Sequence, residues 1–313
     1  MISAGIQPKT ALYHKVVEIG RQIGNTPLHD FTHLSPNPRV TILAKKEWLQ
    51  IGGSVKARAA YFIIRDAVET GALSDRTILM DATSGNTGIA YAAIAREMGI
   101  QVALCLPENA SRERKEILQS LEVDIIYTSP LEGTDGSQQV ARDLVNRHPG
   151  KYFYADQYKN ENNWKAHYYT TAPELLEAVP ELTHFVAGMG TTGTFVGTGR
   201  RLRETRPDIQ LIALQPDSAL HGLEGWKHLE TAVVPTIYDP SVADRLIEVT
   251  TEQAYDTLTM LNKREKLLLS PSSAANIAGA LQVASSLDSG TIVTILPDNA
   301  DKYSEVIKKL TGK

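Results

Sequence analysis

Short apolar segments alternate with amphipathic segments of helical length along most of the chain, and this alternation restricts the fold more than any other feature. Strands are predicted at residues 40–45, 77–82 and 101–106, and a helix-like stretch follows each of them. This order is typical of a parallel sheet with helices on its faces. Because 313 residues exceed what one hydrophobic core usually holds, two domains are expected. We therefore predict a two-domain α/β protein built on parallel, twisted sheets.

The second half of the chain continues the alternation less evenly. Strands are predicted at residues 184–187, 210–215 and 291–296, and one helix is predicted over residues 164–177. Residues 216–244 form a long irregular segment that contains three prolines and two glycines. Irregular segments of this length are uncommon unless they carry function. Residues 216–244 are therefore a candidate functional loop.

Charge and cysteine content exclude several kinds of partner. A formal net charge of −4 gives no basic field for nucleic acid or for an anionic membrane. No apolar run is long enough to span a membrane, and residues 1–10 lack the apolar region of a signal peptide. The single cysteine, Cys105, excludes an internal disulfide and favours a reducing compartment. We predict a cytoplasmic protein.

Lys56 stands at an unusual position, behind the glycine pair Gly52 and Gly53 and at the start of a helix predicted over residues 55–70. A lysine there opposes the positive end of the helix macrodipole, so the position lowers the pKa of its amine. A lysine with a lowered pKa is what Schiff-base chemistry requires. The alternative is an ordinary solvated surface lysine in a poorly capped helix.

A loop rich in hydroxyl groups, residues 83–88, joins the predicted strand at 77–82 to a helix. Its amides and hydroxyls point from the carboxyl edge of a sheet toward a helix N-terminus, which is a common arrangement for binding an anion. Short neutral donors suit a carboxylate. The alternative is an ordinary strand-to-helix turn with an N-cap.

Residues 188–194 follow another predicted strand and match the pattern GxGxxG. Taken alone, this pattern is a weak signal for a dinucleotide. The acidic residue that should meet a ribose hydroxyl is out of place, because Asp217 lies beyond Pro216. The three threonines of the loop favour instead a terminal phosphate with several free oxygens.

The remaining motifs carry less information. Residues 270–275 place serines at a helix start, which by itself is a capping sequence. The eight histidines show no paired-ligand spacing, so no metal site is expected. Neither a GxSxG motif nor a P-loop occurs.

Five motifs in this order resemble the cysteine synthase family, the O-acetylserine sulfhydrylases, over nearly the whole chain. They are residues 24–28 (GNTPL), 53–56 (GSVK), 83–88 (TSGNTG), 190–194 (GTTGT) and the serines at 272–273. Residues 166–174, 190–194 and 222–226 are most similar to the B-type isozymes. The resemblance implies a pyridoxal-phosphate enzyme of fold type II, also known as the tryptophan-synthase-β fold.

The resemblance also implies a role for each motif. Lys56 would form the internal aldimine and then act as the base that removes the α-proton. Asn86 would bond the ring hydroxyl, and Ser272 would meet the pyridine nitrogen. The phosphate would be held by Gly190, Thr191, Thr192, Gly193 and Thr194. The substrate carboxylate would be held by Thr83, Ser84, Gly85, Asn86, Thr87 and Gln157.

The implied reaction is a β-replacement. A serine hydroxyl is a neutral partner for the ring nitrogen, so the ring is a weaker electron sink than one paired with a carboxylate. Loss of a β-leaving group should therefore prevail over transamination. Elimination of acetate from O-acetyl-L-serine would give an α-aminoacrylate, to which sulfide adds to form L-cysteine.

The family pattern further implies domains and partners. Residues 45–150 would form a smaller mobile domain, and residues 1–44 with 151–313 the larger cofactor-binding domain. The domains would close over the substrate and exclude water. The protein is expected to be a homodimer, and serine acetyltransferase is a possible partner.

The sequence departs from the family pattern at four places. They are Gln50 with Ile51 where Asn-Pro is usual, Ala57 where an aspartate follows the lysine, Ala274 in place of a glycine, and Glu224 with Gly225 in place of two B-type arginines. Those arginines suit bulky anionic substrates. Glu224 therefore argues against O-phosphoserine or thiosulfate, although the adjacent Lys227 leaves compensation open.

Three alternatives stay open at this point. A serine or threonine dehydratase or a cystathionine β-synthase would use the same lysine and would differ in its product. A nicotinamide-dependent oxidoreductase would rest on residues 188–193 alone. A non-catalytic paralogue that binds the cofactor is suggested by the four departures.

Overall fold

The computed structural model describes residues 10–83 and 85–312, so Ser84, one of the predicted substrate residues, lies outside the described residues. The strands are β1 Leu28–Asp30, β2 Val40–Lys46, β3 Ile78–Ala82, β4 Val102–Pro107, β5 Asp124–Thr128, β6 Tyr152–Tyr154, β7 His184–Gly188, β8 Gln210–Pro216, β9 Arg245–Val249 and β10 Gly290–Leu296.

The helices surround these strands. They are α1 Ala11–Gly20, α2 Lys56–Glu69, α3 Asn86–Met98, α4 Arg112–Ser120, α5 Gly133–Arg147, α6 Asn162–Ala166, α7 Ala172–Ala178, α8 Gly193–Thr205, α9 Thr251–Glu265, α10 Pro271–Ser286 and α11 Ser304–Thr311. No helix of the described chain combines the length and the apolar character that crossing a membrane requires.

The strands form two sheets. The smaller sheet has the order β5-β4-β3-β6, and all its neighbouring strands are parallel. The larger sheet has the order β1-β2-β10-β7-β8-β9 and is parallel except for β1, which runs antiparallel to β2. The prediction of an α/β protein with parallel sheets is confirmed.

Each sheet has an apolar core on its faces. In the larger sheet, Ile292 packs on one side with Ile42 and Leu214, whereas its neighbour Val293 packs on the other side with Phe185. Side chains of consecutive strand residues point to opposite faces, so helices must cover both faces of β10. A third core fills the space between the smaller sheet and helices α1, α2 and α3.

Predicted and observed elements differ at a few places. The helix predicted over 164–177 is divided into α6, a π-helical turn His167–Thr171 and α7. Pro173 at the start of α7 lacks an N–H and cannot continue the regular hydrogen-bond ladder. Strands β1 and β6 were not predicted because three residues are too few to show a period.

Two local predictions are confirmed. Thr250 and Gln253 form a capping box at α9, with the Gln253 N–H donating to Thr250 Oγ1 at 3.0 Å and the Thr250 N–H donating to Gln253 Oε1 at 2.9 Å. Between β8 and β9 the chain is irregular apart from the short 3₁₀ turn Pro240–Val242.

Candidate active site

Four residues that the sequence assigned to one cofactor line a single cavity: Lys56, Asn86, Thr192 and Ser272. An adjoining cavity is lined by Thr83, Gly85, Thr87 and Gln157 and shares Lys56, Asn86, Gly190 and Thr191 with the first. Both lie at the carboxyl ends of strands, where helices α2, α3, α8 and α10 begin. Parallel α/β sheets bind their ligands at this edge.

Two glycines form the turn that places Lys56 at the cavity. Gly52 and Gly53 have φ values of +73° and +68°, which is the left-handed region that glycine adopts without steric cost. A Cβ at Gly52 would lie 3.1 Å from the Cα of Ala90 in α3. The Val55 N–H then donates to the carbonyl of Pro297 at 2.8 Å, which ties the first turn of α2 to the end of β10.

The pKa of Lys56 is lowered, as the sequence predicted. Burial of the amine is the largest cause, and the nearby carboxylate of Asp298 opposes it. The prediction relied on the helix macrodipole, whereas the desolvation of the cavity is the main effect. A lowered pKa increases the fraction of neutral amine, which is the nucleophilic form.

A buried cluster of charged residues stabilises the start of α2. Arg58, which is fully buried, donates to both carboxylate oxygens of Glu47 at 2.8 and 2.9 Å and to those of Glu174 at 2.6 and 2.8 Å. Lys45 also pairs with Glu174 at 2.7 Å. The charges of two cations and two carboxylates therefore cancel within this cluster, and Arg58 lies two residues after Lys56 in the chain.

The glycine- and threonine-rich loop at residues 190–194 precedes α8. A Cβ at Gly190 would lie 1.9 Å from the carbonyl oxygen of Gly225, so the two chain segments approach each other more closely than any side chain permits. Thr192 has a φ of +71°, and Thr191 Oγ1 accepts a hydrogen bond from Asn163 at 3.1 Å. Amides at the N-terminus of α8, together with these hydroxyls, suit a phosphate.

Ser272 lies in the first turn of α10. Ser270 caps this helix by accepting the N–H of Ser273 at 3.1 Å, so the capping interpretation of the serine cluster is confirmed. Ser272 is buried beside it, with its Oγ 3.2 Å from that of Ser270. One turn later, Asn276 also lines the cavity and accepts the N–H of Gly188 at 2.8 Å.

Asn86 is the first residue of α3, and its orientation is fixed by Asp298. Its Nδ2 donates to Asp298 Oδ2 at 2.7 Å, and the Tyr303 hydroxyl donates to the same oxygen at 2.8 Å. A carboxylate only accepts hydrogen bonds, so the nitrogen of the Asn86 amide must face it. Asp298 was not predicted from the sequence.

The predicted substrate residues come from two neighbouring strand ends. Thr83 and Gly85 follow β3, whereas Gln157 follows β6, which pairs in parallel with β3. The Thr87 hydroxyl donates to Gln157 Oε1 at 2.7 Å, and the Gly85 N–H donates to Thr83 Oγ1 at 3.2 Å. Asn163 supports Gln157 by donating to its carbonyl at 2.7 Å.

Sequence reasoning missed several residues of the site. Asp298 had a usable signal, because it follows the carboxyl end of the predicted strand at 291–296. Arg114 and Asn163 had none, since each lies within a helix whose position relative to the cavity depends on the tertiary fold. No group of three or more potential metal ligands occurs among the described residues.

The residues fit pyridoxal phosphate. Within the described part of the chain, nothing hydrogen-bonds the buried Thr192 Oγ1 or the buried Asn86 Oδ1, although both residues line the cavity. Buried polar atoms are normally satisfied, so these two indicate a polar ligand. The other groups that the resemblance requires are also present. They are the amine of Lys56 with its lowered pKa, the loop at residues 190–194 and the neutral hydroxyl of Ser272.

Comparisons with known proteins identify the family of the chain. The family model described as "Pyridoxal-phosphate dependent enzyme" matches residues 19–298. Cysteine synthase of Aquifex aeolicus (strain VF5) is 43% identical over 300 residues, which cover 93% of this chain and 92% of the relative. Cysteine synthase B of Escherichia coli (strain K12) is 36% identical and covers 90% of this chain and 92% of its own length.

A solved structure has the same fold. The crystal structure of O-acetylserine dependent cystathionine beta-synthase from Helicobacter pylori superposes with a TM-score of 0.86 at 33% identity, covering 92% of this chain and 96% of its own. The predicted pyridoxal-phosphate fold of type II is thereby confirmed. The chain belongs to the pyridoxal-phosphate dependent enzymes and, within them, to the cysteine synthase family.

Proposed function

We propose that the protein is a cysteine synthase, which forms L-cysteine and acetate from O-acetyl-L-serine and sulfide. The single observation that carries the proposal is the meeting of Lys56, Asn86, Thr192 and Ser272 at one cavity, beside the cavity lined by Thr83, Thr87 and Gln157. The family membership supports the same activity.

Pyridoxal phosphate, when bound, supplies an electron sink for the Cα–H bond that breaks. Lys56 would hold the cofactor through its Nζ, and its neutral amine would take the proton from the substrate Cα. Acetate then leaves from Cβ, sulfide adds to Cβ, and the proton returns to Cα. The lowered pKa of Lys56 supports this role because it provides a neutral amine.

The other predicted residues bind and orient the cofactor and the substrate. Gly190, Thr191, Thr192, Gly193 and Thr194 would hold the phosphate, Asn86 would hold the ring hydroxyl, and Ser272 would be the partner of the ring nitrogen. The substrate carboxylate is held by Thr83, Ser84, Gly85, Asn86, Thr87 and Gln157. The neutral partner at the ring nitrogen limits the electron sink, which favours loss of the β-substituent over transamination.

Domain closure is part of this proposal. The strands of the smaller sheet lie within residues 78–154, and those of the larger sheet lie within residues 28–46 and 184–296. We infer that a smaller domain, predicted from the sequence at residues 45–150, moves against the larger one and shields the substrate from water. The homodimer, the cytoplasmic location and a complex with serine acetyltransferase stay predictions.

A second candidate is cystathionine formation from O-acetylserine and homocysteine. The likeness to the H. pylori enzyme of that name favours it. The same residues would act in both reactions, since only the sulfur nucleophile differs, homocysteine in place of sulfide.

A product panel tests both candidates. The purified protein is loaded with pyridoxal phosphate and mixed with O-acetylserine, O-phosphoserine or serine, and then with sulfide, thiosulfate or homocysteine. We expect cysteine from O-acetylserine and sulfide. Cystathionine as the preferred product would favour the second candidate, and pyruvate with ammonia would indicate a dehydratase.

Lys56→Ala is the matched variant for this panel. It should lose cofactor attachment and turnover together. A wild-type protein that stays colourless with added cofactor, or a Lys56→Ala variant that keeps its activity, would overturn the proposal. Cofactor binding without any product would identify a non-catalytic paralogue.

A further inference from the structure

Asn276 is a polar residue in a part of α10 that is otherwise small and apolar. It is only 1% exposed, and the residues next to it in the helix, Ala275, Ile277 and Ala278, are buried as well. A buried amide destabilises a protein unless both its oxygen and its nitrogen find hydrogen-bond partners. An asparagine at this position therefore requires a partner for each end of its side chain.

The oxygen of the Asn276 amide has a partner within the protein. The Gly188 N–H, at the end of β7, donates to Asn276 Oδ1 at 2.8 Å. Because an N–H group only donates, the amide oxygen must face Gly188 and the amide nitrogen must point away from it. This hydrogen bond fixes the orientation of the side chain.

The nitrogen of the same amide has no such partner. Within residues 10–83 and 85–312, no group accepts a hydrogen bond from Asn276 Nδ2. Asn276 lines the cavity that also contains Lys56 and Ser272. The amide N–H groups are therefore available to a hydrogen-bond acceptor of a ligand in that cavity.

The position of Asn276 in α10 indicates which part of the cofactor it meets. Asn276 lies four residues after Ser272, and side chains at this spacing lie on the same face of a helix. Ser272 is the residue proposed as the partner of the ring nitrogen of pyridoxal phosphate. Asn276 therefore belongs to the same side of the cofactor, where that nitrogen is the available acceptor.

Ser272 by itself does not determine whether the ring nitrogen carries a proton. Its Oγ lies 3.2 Å from Ser270 Oγ, and either hydroxyl can be the donor of that hydrogen bond. Ser272 can therefore offer a ligand either a proton or a lone pair. An amide nitrogen offers only protons, so Asn276 can pair with an unprotonated ring nitrogen but not with a protonated one.

We propose that Asn276 is a further cofactor-binding residue, which donates a hydrogen bond to the ring nitrogen of pyridoxal phosphate and thereby keeps that nitrogen unprotonated. This inference rests on the proposed function, which places Ser272 at the same nitrogen. An unprotonated ring withdraws electrons less strongly than a protonated one. Asn276 would therefore protect β-replacement from transamination as a side reaction.

The first test is the ¹⁵N resonance of the ring nitrogen in protein loaded with ¹⁵N-labelled pyridoxal phosphate, since protonation moves this resonance far upfield. The wild type should show the unprotonated position at neutral pH. Asn276→Asp keeps the shape of the side chain and an oxygen for Gly188, but it places a carboxylate where the donor was. Its resonance should move toward the protonated position, because a carboxylate stabilises a protonated nitrogen.

Gln282→Glu is the matched control for this measurement. It makes the same change from amide to carboxylate on the same helix, at a residue that does not line the cavity. Its ring nitrogen should resonate as in the wild type. An effect of equal size in both variants would show that the added charge acts without contact and would overturn the proposal.

Asn276→Ala is a second variant, which removes the donor without adding a charge and decides the question if Asn276→Asp does not fold. The donor stabilises the unprotonated nitrogen, so its removal should raise the pH at which the ring nitrogen gains a proton by about one unit, a tenfold change in proton affinity. A general disturbance of the helix would not produce opposite donors and acceptors with graded effects on one nitrogen. A ring nitrogen that responds to neither substitution overturns the proposal.

The side reaction gives a readout from kinetics. With O-acetylserine, the rate of cysteine formation divided by the rate of conversion of the cofactor to pyridoxamine phosphate should fall at least about tenfold in Asn276→Asp. Gln282→Glu should leave this ratio unchanged. A wild-type protein that binds the cofactor but makes no cysteine overturns the proposed function. The ¹⁵N measurements, which need no substrate, then still decide the role of Asn276.

Discussion

Asn86 donates a 2.7 Å hydrogen bond to the fully buried carboxylate of Asp298, although the two residues are 212 positions apart in the chain. The Asp298 carbonyl also accepts the hydroxyl of Ser273 at 2.7 Å, and the neighbouring Pro297 accepts the N–H of Val55. The turn after β10 therefore contacts the Lys56 helix, the Asn86 helix and the Ser272 helix. This turn therefore fixes the positions of the three helix N-termini relative to one another.

Asp298→Asn should weaken cofactor binding. An amide at position 298 offers one acceptor oxygen where the carboxylate offers two, and Asn86 loses a charge-assisted partner. We expect the Kd for pyridoxal phosphate to rise about tenfold, the size of one such hydrogen bond. Equilibrium dialysis measures it. Asp301→Asn, an exposed position three residues later, is the control and should bind normally.

The same variant should lower the pKa of Lys56 further, because Asp298 is the charge that opposes the effect of burial. The rate at which an amine-reactive reagent modifies Lys56 in the cofactor-free protein reports this pKa. Its pH profile should move to lower pH in Asp298→Asn. A profile that stays in place would show that Asp298 does not act on the amine.

Arg58→Lys should destabilise the protein strongly. Lysine cannot reproduce the paired contacts to Glu47 and Glu174, which leaves buried carboxylate oxygens without a donor. Breaking such a buried pair typically costs about 3–5 kcal/mol. Denaturant unfolding measures the loss.

Arg65→Lys is the matched control for this change. Arg65 lies on the same helix, and its pair with Glu69 is largely exposed, so its replacement should cost less than about 1 kcal/mol. Equal losses in the two variants would mean that the buried cluster does not hold α2.

The parts of the site that could be predicted are local in sequence. The position of Lys56 followed from a glycine pair before a helix, and the loops at 83–88 and 190–194 followed from strand ends. Ordinary capped turns use the same residue types, so the roles of these loops were predicted from the order of the five motifs and not from any one of them. The alternation of elements likewise predicted parallel sheets.

The remaining parts depend on contacts between distant segments. Arg114 looks like an ordinary surface charge in the sequence, and Glu224 stood out only by comparison with the family pattern. Only the packing of α4 near the segment after β8 brings the two residues together. Three-residue strands such as β1 exist because a longer neighbour pairs with them. Burial of Lys56, which dominates its pKa, is also a property of the assembled cavity.

Asp81 should make stability depend on pH. Its burial, with a smaller contribution from Asp156, raises the pKa of this carboxyl from an ordinary value of 3.8 to about 7. The folded state then binds a proton that the unfolded state releases between these values. Stability contributed by the protonated form is therefore lost as the pH rises toward 7, by a few kcal/mol at about 1.4 kcal/mol per pKa unit.

Asp81→Asn should remove this dependence, because an amide does not titrate. The Tm of the variant should change less than that of the wild type between pH 5.5 and pH 8, and at pH 8 the variant should be the more stable protein. The exposed Asp66→Asn serves as a control and should retain the wild-type profile. Parallel profiles for Asp81→Asn and the wild type would contradict the assignment.

Gly190→Ala should abolish cofactor binding with a modest effect on folding. The new methyl group would lie 1.9 Å from the Gly225 carbonyl oxygen, and backbone gives way less readily than a flexible side chain, so the phosphate loop must shift.

Gly71→Ala is the contrasting control. Its methyl group meets nothing within 4 Å, yet its φ of +77° disfavours alanine, so about 1 kcal/mol of stability should be lost with cofactor affinity intact. Absorbance of the bound cofactor and thermal unfolding, measured on both variants, distinguish a damaged phosphate loop from a general loss of stability.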